Sequence, residues 1–281
     1  MSGYNPLVLD IIELHEAVDR YEELVSSSSF SIKGGSDVVA IAYLMVSQGI
    51  GYRKVLTKIK RIDPQFTILD PMERILMLYE RLLKVTPRSL VSKAIEIGRR
   101  YEFGRGVGHA SKVLELSIEL VSKLEEISVV KINCDVERAL YVASILHDVG
   151  VSMLGPNEPD DMHREYSHRI ILENRDELDN ACGCSVAEKA AIIARLHGKA
   201  DPIPPYLDTE TKTAIGIIRI ADGLDYTLDQ SVTKVEVSKN NGEVLIKAYC
   251  NNWCTLSIQR ANKKKKLLEE TLGAKISIEP V

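Results

Sequence analysis

In Ala139–Gly150, ALYVASILHDVG, an apolar run with helical character ends abruptly in a histidine and an aspartate. A carboxylate at the end of a buried helix costs several kcal/mol unless a cation or hydrogen-bond donors satisfy it, roughly the range for an unpaired buried charge. Imidazole is a preferred ligand for borderline divalent metals. The pair His147-Asp148 therefore predicts a metal site, provided that other ligands converge on it. The chain has six histidines; apart from His15 they are His109, His147, His163, His168 and His197, all in the central part. An aspartate follows in an apolar context at Asp222, in IIRIADGLDYTL.

The apolar periodicity places these residues on helices. His109 lies four residues before the stripe Val113, Leu116, Leu120 and Leu124, so it shares that inward face at the first turn. One helix is expected over Val136–Asp148, and Val151–Met162 is a loop rich in Gly, Pro, Asn and Asp. The next helix runs from His163 or Arg164 to about Asn174. His168 falls five residues after His163, so the two occupy different faces and only one belongs against an ion. A helix over Val186–His197 ends before Lys199 and Asp201-Pro202-Ile203-Pro204-Pro205. In the helix Thr209–Asp229, apolar neighbours from Ile217 to Leu224 argue for partial burial of Asp222. Asp225 and Asp229 read as a solvated face.

The order H…HD…H…H…D matches the HD-domain metal-dependent phosphohydrolases. The blocks HASKVLELSIEL, ASILHDVG, HREYSHRIILEN, AIIARLHGKA and IIRIADGLD resemble, in order and spacing, the C-terminal HD region of the exopolyphosphatase / guanosine pentaphosphate phosphatase (Ppx/GppA) family, over roughly residues 88–281. The dipeptide alone carries little; five ordered blocks carry more. The resemblance implies His168 as the ligand on its helix, with His163 in an outer or substrate-binding role. It also implies that the family's N-terminal actin-like lobes are represented by a remnant at most, because about a hundred residues cannot supply two of them. In full-length members the HD motif is often degraded and helps to bind polyphosphate; here the ligand set is intact.

The expected fold is mostly α. An N-terminal helical region covers 1–103, an HD-type helical bundle 104–230, and a small α+β (ββαβ) domain 231–281. In the first region, helices are expected over residues 5–26, Ser36 or Asp37 to Ser47, Tyr52–Ile62, Pro71–Leu83 and Pro87–Tyr101. Ser26–Ser31 and Gly34-Gly35 break the first two. Gly34-Gly35 is no phosphate loop, since no GKS/T follows. His15 reads as a surface or half-buried residue. At the C-terminal end, VTKVEVS and EVLIKAYC alternate around Asn240-Asn241-Gly242, a hairpin signal. A helix over Leu256–Leu272 and a strand over Ala274–Glu279 follow. Lys263–Lys266 read as a solvated helix face, or as a surface for a polyanion, and Trp253 as a packing residue.

With 281 residues, 45% hydrophobic and 27% charged, the chain can bury a sizeable core. A net charge of −4 argues against a dedicated nucleic-acid-binding protein. The acidic start and the lack of a long apolar run predict a cytoplasmic protein without a membrane span. Cys134, Cys182, Cys184, Cys250 and Cys254 read as structural or incidental thiols, neither a disulfide framework nor a zinc knuckle.

The expected chemistry is hydrolysis of a phosphate ester or anhydride (nucleotide, guanosine pentaphosphate-like or polyphosphate) by a metal-activated hydroxide. His109, His147, Asp148 and Asp222 would hold one ion. His168 and His197, with Asp148 bridging, would hold a second. Mixed nitrogen and carboxylate donors suit Mn, Fe, Co or Zn better than Mg alone, with one or two ions bound. Asp148, His168 and Lys199 are the expected catalytic residues. His163, Lys199 and Arg219 are expected at the substrate, with Arg105 a further nearby cation. The competing readings are a non-catalytic HD module that binds nucleotide or polyphosphate in a regulatory role, and a helical scaffold with chance histidines. The N-terminal helices are candidates for a lid over the pocket or a homodimer surface.

Overall fold

A computed structural model of the chain describes residues 9–26, 37–199, 202–240 and 242–281. Among these it forms thirteen α-helices and one three-stranded sheet, the mostly helical fold with a small C-terminal α+β part that the sequence predicts. No helix among them is long and apolar enough to cross a membrane. The expectations for residues 5–8, Ser27–Ser31, the Gly34-Gly35 turn, a Ser36 cap, Asp201 and Asn241 lie outside the described residues.

The chain divides into two compact units, Met1–Lys84 and Val85–Val281, so the break precedes the expected 103/104 boundary. The first unit holds α1 (Ile11–Ser26), α2 (Asp37–Gln48), α3 (Tyr52–Ile62) and nearly all of α4 (Asp70–Val85). Its core includes Ile11, Leu14, Val18, Ile41, Tyr52, Leu76 and Tyr79. His15, expected at or near the surface, is buried among them, with Nδ1 3.1 Å from the Tyr79 hydroxyl.

The second unit begins with α5 (Arg88–Arg100), expected to belong to the N-terminal region. Its buried face, Leu90, Val91, Ala94, Ile95 and Ile97, packs against α7 (Cys134–Leu146) and α9 (Arg175–Cys182), which places it in this core. The remaining helices are α6 (Val107–Glu126), α8 (His163–Glu173), α10 (Ala187–Arg195) and α11 (Thr209–Leu224). Helix α7 starts at Asn133, whose side chain accepts from the amides of Asp135 and Val136 at 3.0 Å each. It ends at His147, and a short 3-10 helix over Val149–Met153 takes the chain away.

Strands β1 (Val232–Asn240) and β2 (Glu243–Cys250) form the predicted antiparallel hairpin, and β3 (Lys275–Pro280) adds parallel to β2. The intervening helix is two helices, α12 (Thr255–Lys264) and α13 (Lys266–Leu272), separated at Lys265. This segment is not a domain apart. It packs on α11, where a Cβ on Gly223 would stand 2.7 Å from the Ala261 Cα, a gap only glycine leaves open. Trp253, expected to pack, is 92% exposed.

Four of the five cysteines are not free thiols, contrary to expectation: Cys182–Cys184 and Cys250–Cys254 are disulfides, and only Cys134 is unpaired. The paired cysteines are only two and four positions apart in sequence, so their constraint on the unfolded chain is small and their effect is local. The second one joins the end of β2 to the start of α12.

Candidate metal centre

Five elements deliver their ligand residues to one place in the second unit. Helix α6 supplies His109 in its first turn, and the end of α7 supplies His147 and Asp148. His163 opens α8, His197 follows the end of α10, and Asp222 sits in the last turn of α11. Two groups have their donor atoms within 4.8 Å of one another: His109, His147 and Asp148, and Asp148, His163 and His197. All five residues are buried.

The approach of α8 depends on Gly150. A Cβ there would stand 2.1 Å from the His163 carbonyl oxygen and 2.4 Å from the Ser167 amide nitrogen. The Gly150 amide also donates to Ser167 Oγ at 2.9 Å. The glycine that follows the His-Asp pair is thus what lets His163 come within 3.1 Å of Asp148 Oδ1.

Asp148 is shared between two histidine pairs. Its Oδ2 lies 3.6 Å from both His109 Nε2 and His147 Nε2. Its Oδ1 lies 3.1 Å from His163 Nε2 and 3.6 Å from His197 Nε2. Within the pairs, Nε2 faces Nε2 at 3.2 Å for His109 and His147 and at 3.4 Å for His163 and His197. Two nitrogens held by one ion at about 2.0–2.1 Å, at ordinary coordination angles, stand roughly 2.9–3.4 Å apart.

All four Nδ1 atoms are already engaged. His147 donates to the Ser144 carbonyl at 3.0 Å and His197 to the Ala194 carbonyl at 2.6 Å. His163 Nδ1 meets the Asp160 carbonyl, and His109 Nδ1 meets Asp225 Oδ2 at 2.8 Å. A neutral imidazole that donates from Nδ1 presents a lone pair at Nε2, the arrangement seen at metal-bound histidines. Asp148 Oδ1 is also buried without a hydrogen bond of acceptable geometry, despite His163 close by. Facing lone pairs around an unsatisfied buried carboxylate oxygen fit a cation: these residues could hold a divalent metal ion.

Neither a scan against protein-family models nor a search of curated proteins finds a match for this chain.

The electrostatics divide the imidazoles: burial holds His147 and His197 towards the neutral form that a metal requires, whereas the neighbouring carboxylates hold His109 and His163 towards the protonated form, whose proton a bound metal would displace. Burial, reinforced by His147, pushes His197 down to about 3, so it is neutral near pH 7. Burial opposes charge on His109 as well, but hydrogen bonds to Asp222 and Asp225 and the field of Asp148 outweigh it and raise His109 to about 10. Burial disfavours the Asp148 carboxylate, yet the imidazoles around it, His147 foremost, hold its pKa well below the usual range. For Asp222 the same opposition is overcome mainly by Lys264 and then His109.

Three expectations change. His168 is not in the cluster: it is half-buried, and its charged neighbours are Arg195 and Glu165. Five residues turn a helix by about 500°, leaving His168 some 140° round from His163. Arg219, expected at the substrate, is buried, and its Nε donates to the Leu196 carbonyl at 2.8 Å, where it secures the turn before His197. Asp225, expected in solvent, is 1% exposed and orients His109. Its place three residues after Asp222, on the same helix face, was the available signal. Replacing Asp225 with alanine is expected to weaken metal binding by about 10–100-fold, the usual cost of losing such a support, while circular dichroism stays unchanged. A metal titration that matches the wild type would deny Asp225 that role.

The centre opens into a cavity of about 520 Å³. Basic side chains on its wall are Arg105, Arg164, Lys199, Arg260, Lys263 and Lys264, against Asp148, Asp160, Asp161 and Asp222. Arg105 is committed: its Nε lies 3.0 Å from Asp148 Oδ2 and its Nη2 donates to both oxygens of Asp160 at 2.7 and 2.9 Å. Lys199 and Lys263 are exposed and form no ion pair among the described residues. Lysines that the sequence assigned to a solvated face thus line the cavity from α12.

Proposed function

We propose that the second unit is a metal-dependent phosphohydrolase of the HD type, which cleaves a phosphate ester or anhydride. The observation that carries this reading is the carboxylate of Asp148 shared by two oriented histidine pairs beneath a wall of cations. Bound divalent ions would supply positive charge for phosphoryl oxygens and lower the pKa of a water to about 7.

The protein's own residues do the rest. Asp148 spans the two histidine pairs and fixes their separation. The carbonyls of Ser144, Ala194 and Asp160, together with Asp225, hold the four rings so that no reorganisation is needed on ligand binding. Arg105 pins Asp148 and the loop at Asp160. Lys199, Lys263 and Arg260 have no ion pair to break among the described residues, and of these Arg260 is held on Tyr226, whose hydroxyl accepts from its Nη2 at 2.7 Å, which leaves the two lysines available to phosphoryl oxygens. Arg164 stands on the same wall, 3.5 Å from Asp161. His168 has no part in this arrangement.

The test is phosphate release from a panel of nucleotides, cyclic nucleotides, pyrophosphorylated guanosine and polyphosphate with added Mn. His147→Ala and Asp148→Ala serve as controls. Turnover that disappears in both variants is the expected result. Turnover that survives either substitution sinks the proposal. Metal binding without turnover of any substrate would favour a regulatory binding module.

A further inference from the structure

Asp222 differs from the other ligands because its two oxygens face different ways. Oδ1 is 3.5 Å from His109 Nε2, whereas Oδ2 is held by the Lys264 ammonium. Asp222 accordingly falls outside the two groups whose donor atoms lie within 4.8 Å of one another. Lys264 comes from α12, which the close contact at Gly223 brings against α11.

We propose that Lys264 is an exchangeable counter-cation, which holds Asp222 until an anion in the cavity draws it off and frees the carboxylate for the metal. Phosphate and metal then bind cooperatively. This rests on the reading of the cavity as a metal and phosphate site. Lys264 is suited to the exchange. Its ammonium is a compact charge on a flexible four-carbon stem, and its side chain, 14% exposed, lines the cavity. It can change partner without moving α12. Arg105 offers the contrast, since its bidentate contact with Asp160 fixes it on Asp148. While it sits on Asp222, Lys264 also repels an incoming divalent ion. Whatever removes it therefore favours the metal, and by linkage the metal favours the anion equally.

The test uses the full chain, Mn2+ as metal and inorganic phosphate as anion, with free Mn2+ read from its electron paramagnetic resonance signal. In the wild type, phosphate tightens Mn2+ binding by about tenfold or more. Lys264→Met binds Mn2+ about tenfold more tightly than the wild type without phosphate, and the gain from phosphate shrinks. Lys264→Gln, which keeps a hydrogen-bonding group without the charge, behaves in the same way. Lys266→Met, at a side chain 85% exposed, matches the wild type. Equal affinity and equal coupling in the wild type and both Lys264 variants overturn the inference alone. If neither Lys264 variant folds, the ion pair is a fixed part of the fold and the exchange is overturned. A wild type that binds no Mn2+ overturns the metal centre and this inference with it.

Discussion

Asp148→Asn is expected to empty both halves of the centre at once. Each oxygen of Asp148 faces its own histidine pair, at 3.1–3.6 Å. An amide offers one neutral oxygen to one pair and turns an NH2 group towards the other. The loss of charge weakens attraction at both positions, so elemental analysis should find no retained metal. On the proposed phosphohydrolase reading, hydrolysis should fall by about 10³-fold or more, equivalent to at least about 4 kcal/mol of transition-state stabilisation. The metal-free variant should fold with reduced stability, because the imidazoles and Arg105, whose attraction outweighs the desolvation of the Asp148 carboxylate, lose their charged partner. A metal at 100 times its dissociation constant stabilises a folded protein by about 2.7 kcal/mol, and that gain should vanish in the variant. Metal bound as tightly to the asparagine protein as to the wild type would show that Asp148 does not bridge.

Gly150→Ala carries the second large effect, on stability rather than on charge. The new methyl would meet main-chain atoms of α8 at 2.1 and 2.4 Å, and neither can swing aside as a side chain would. Relief requires α8 to move away from the 3-10 helix, which pulls His163 from Asp148 and strains the Gly150–Ser167 hydrogen bond. A cost of about 3 kcal/mol or more is expected, which lowers the melting midpoint by roughly 6–12 °C. Metal affinity should fall in parallel. Gly155→Ala, where the nearest atoms are Glu158 side-chain atoms at 3.6 Å or more, provides the comparison and should melt like the wild type. Equal melting of the two variants would show that the contact at Gly150 is unimportant.

The helices that carry the site were legible because their apolar registers are strong, and His109, His147, Asp148 and His197 follow directly from them. The choice between His163 and His168 was not legible, since both lie on one helix. It is settled by how closely α8 approaches Gly150, a long-range contact that periodicity does not report. Asp225 escaped because an acidic residue near a helix end usually faces water; here the chain turns at α11 and closes over it. Lys264 escaped for a similar reason. A run of four lysines reads as a solvated face, yet α12 ends at Lys264 and α13 sets off from Lys266, so the Lys264 ammonium is turned towards Asp222 and that of Lys265 towards the Ile276 carbonyl, while Lys266 remains in solvent. Helix α9, eight residues of RDELDNAC, has too few apolar positions to announce itself. The boundary at Lys84–Val85 was missed because α5 looks like its predecessors and differs only in what it packs against.

Three of the four imidazoles hang from main-chain carbonyls, and the fourth from the side chain of Asp225. A carbonyl is present whatever residue supplies it, so Ser144, Asp160 and Ala194 can drift without releasing the rings they steer. No such latitude exists between positions 109 and 225. In any descendant of this fold that keeps the centre, position 225 has to go on supplying a side-chain acceptor to the ring at 109, whereas the positions that steer the other three rings need supply only a carbonyl.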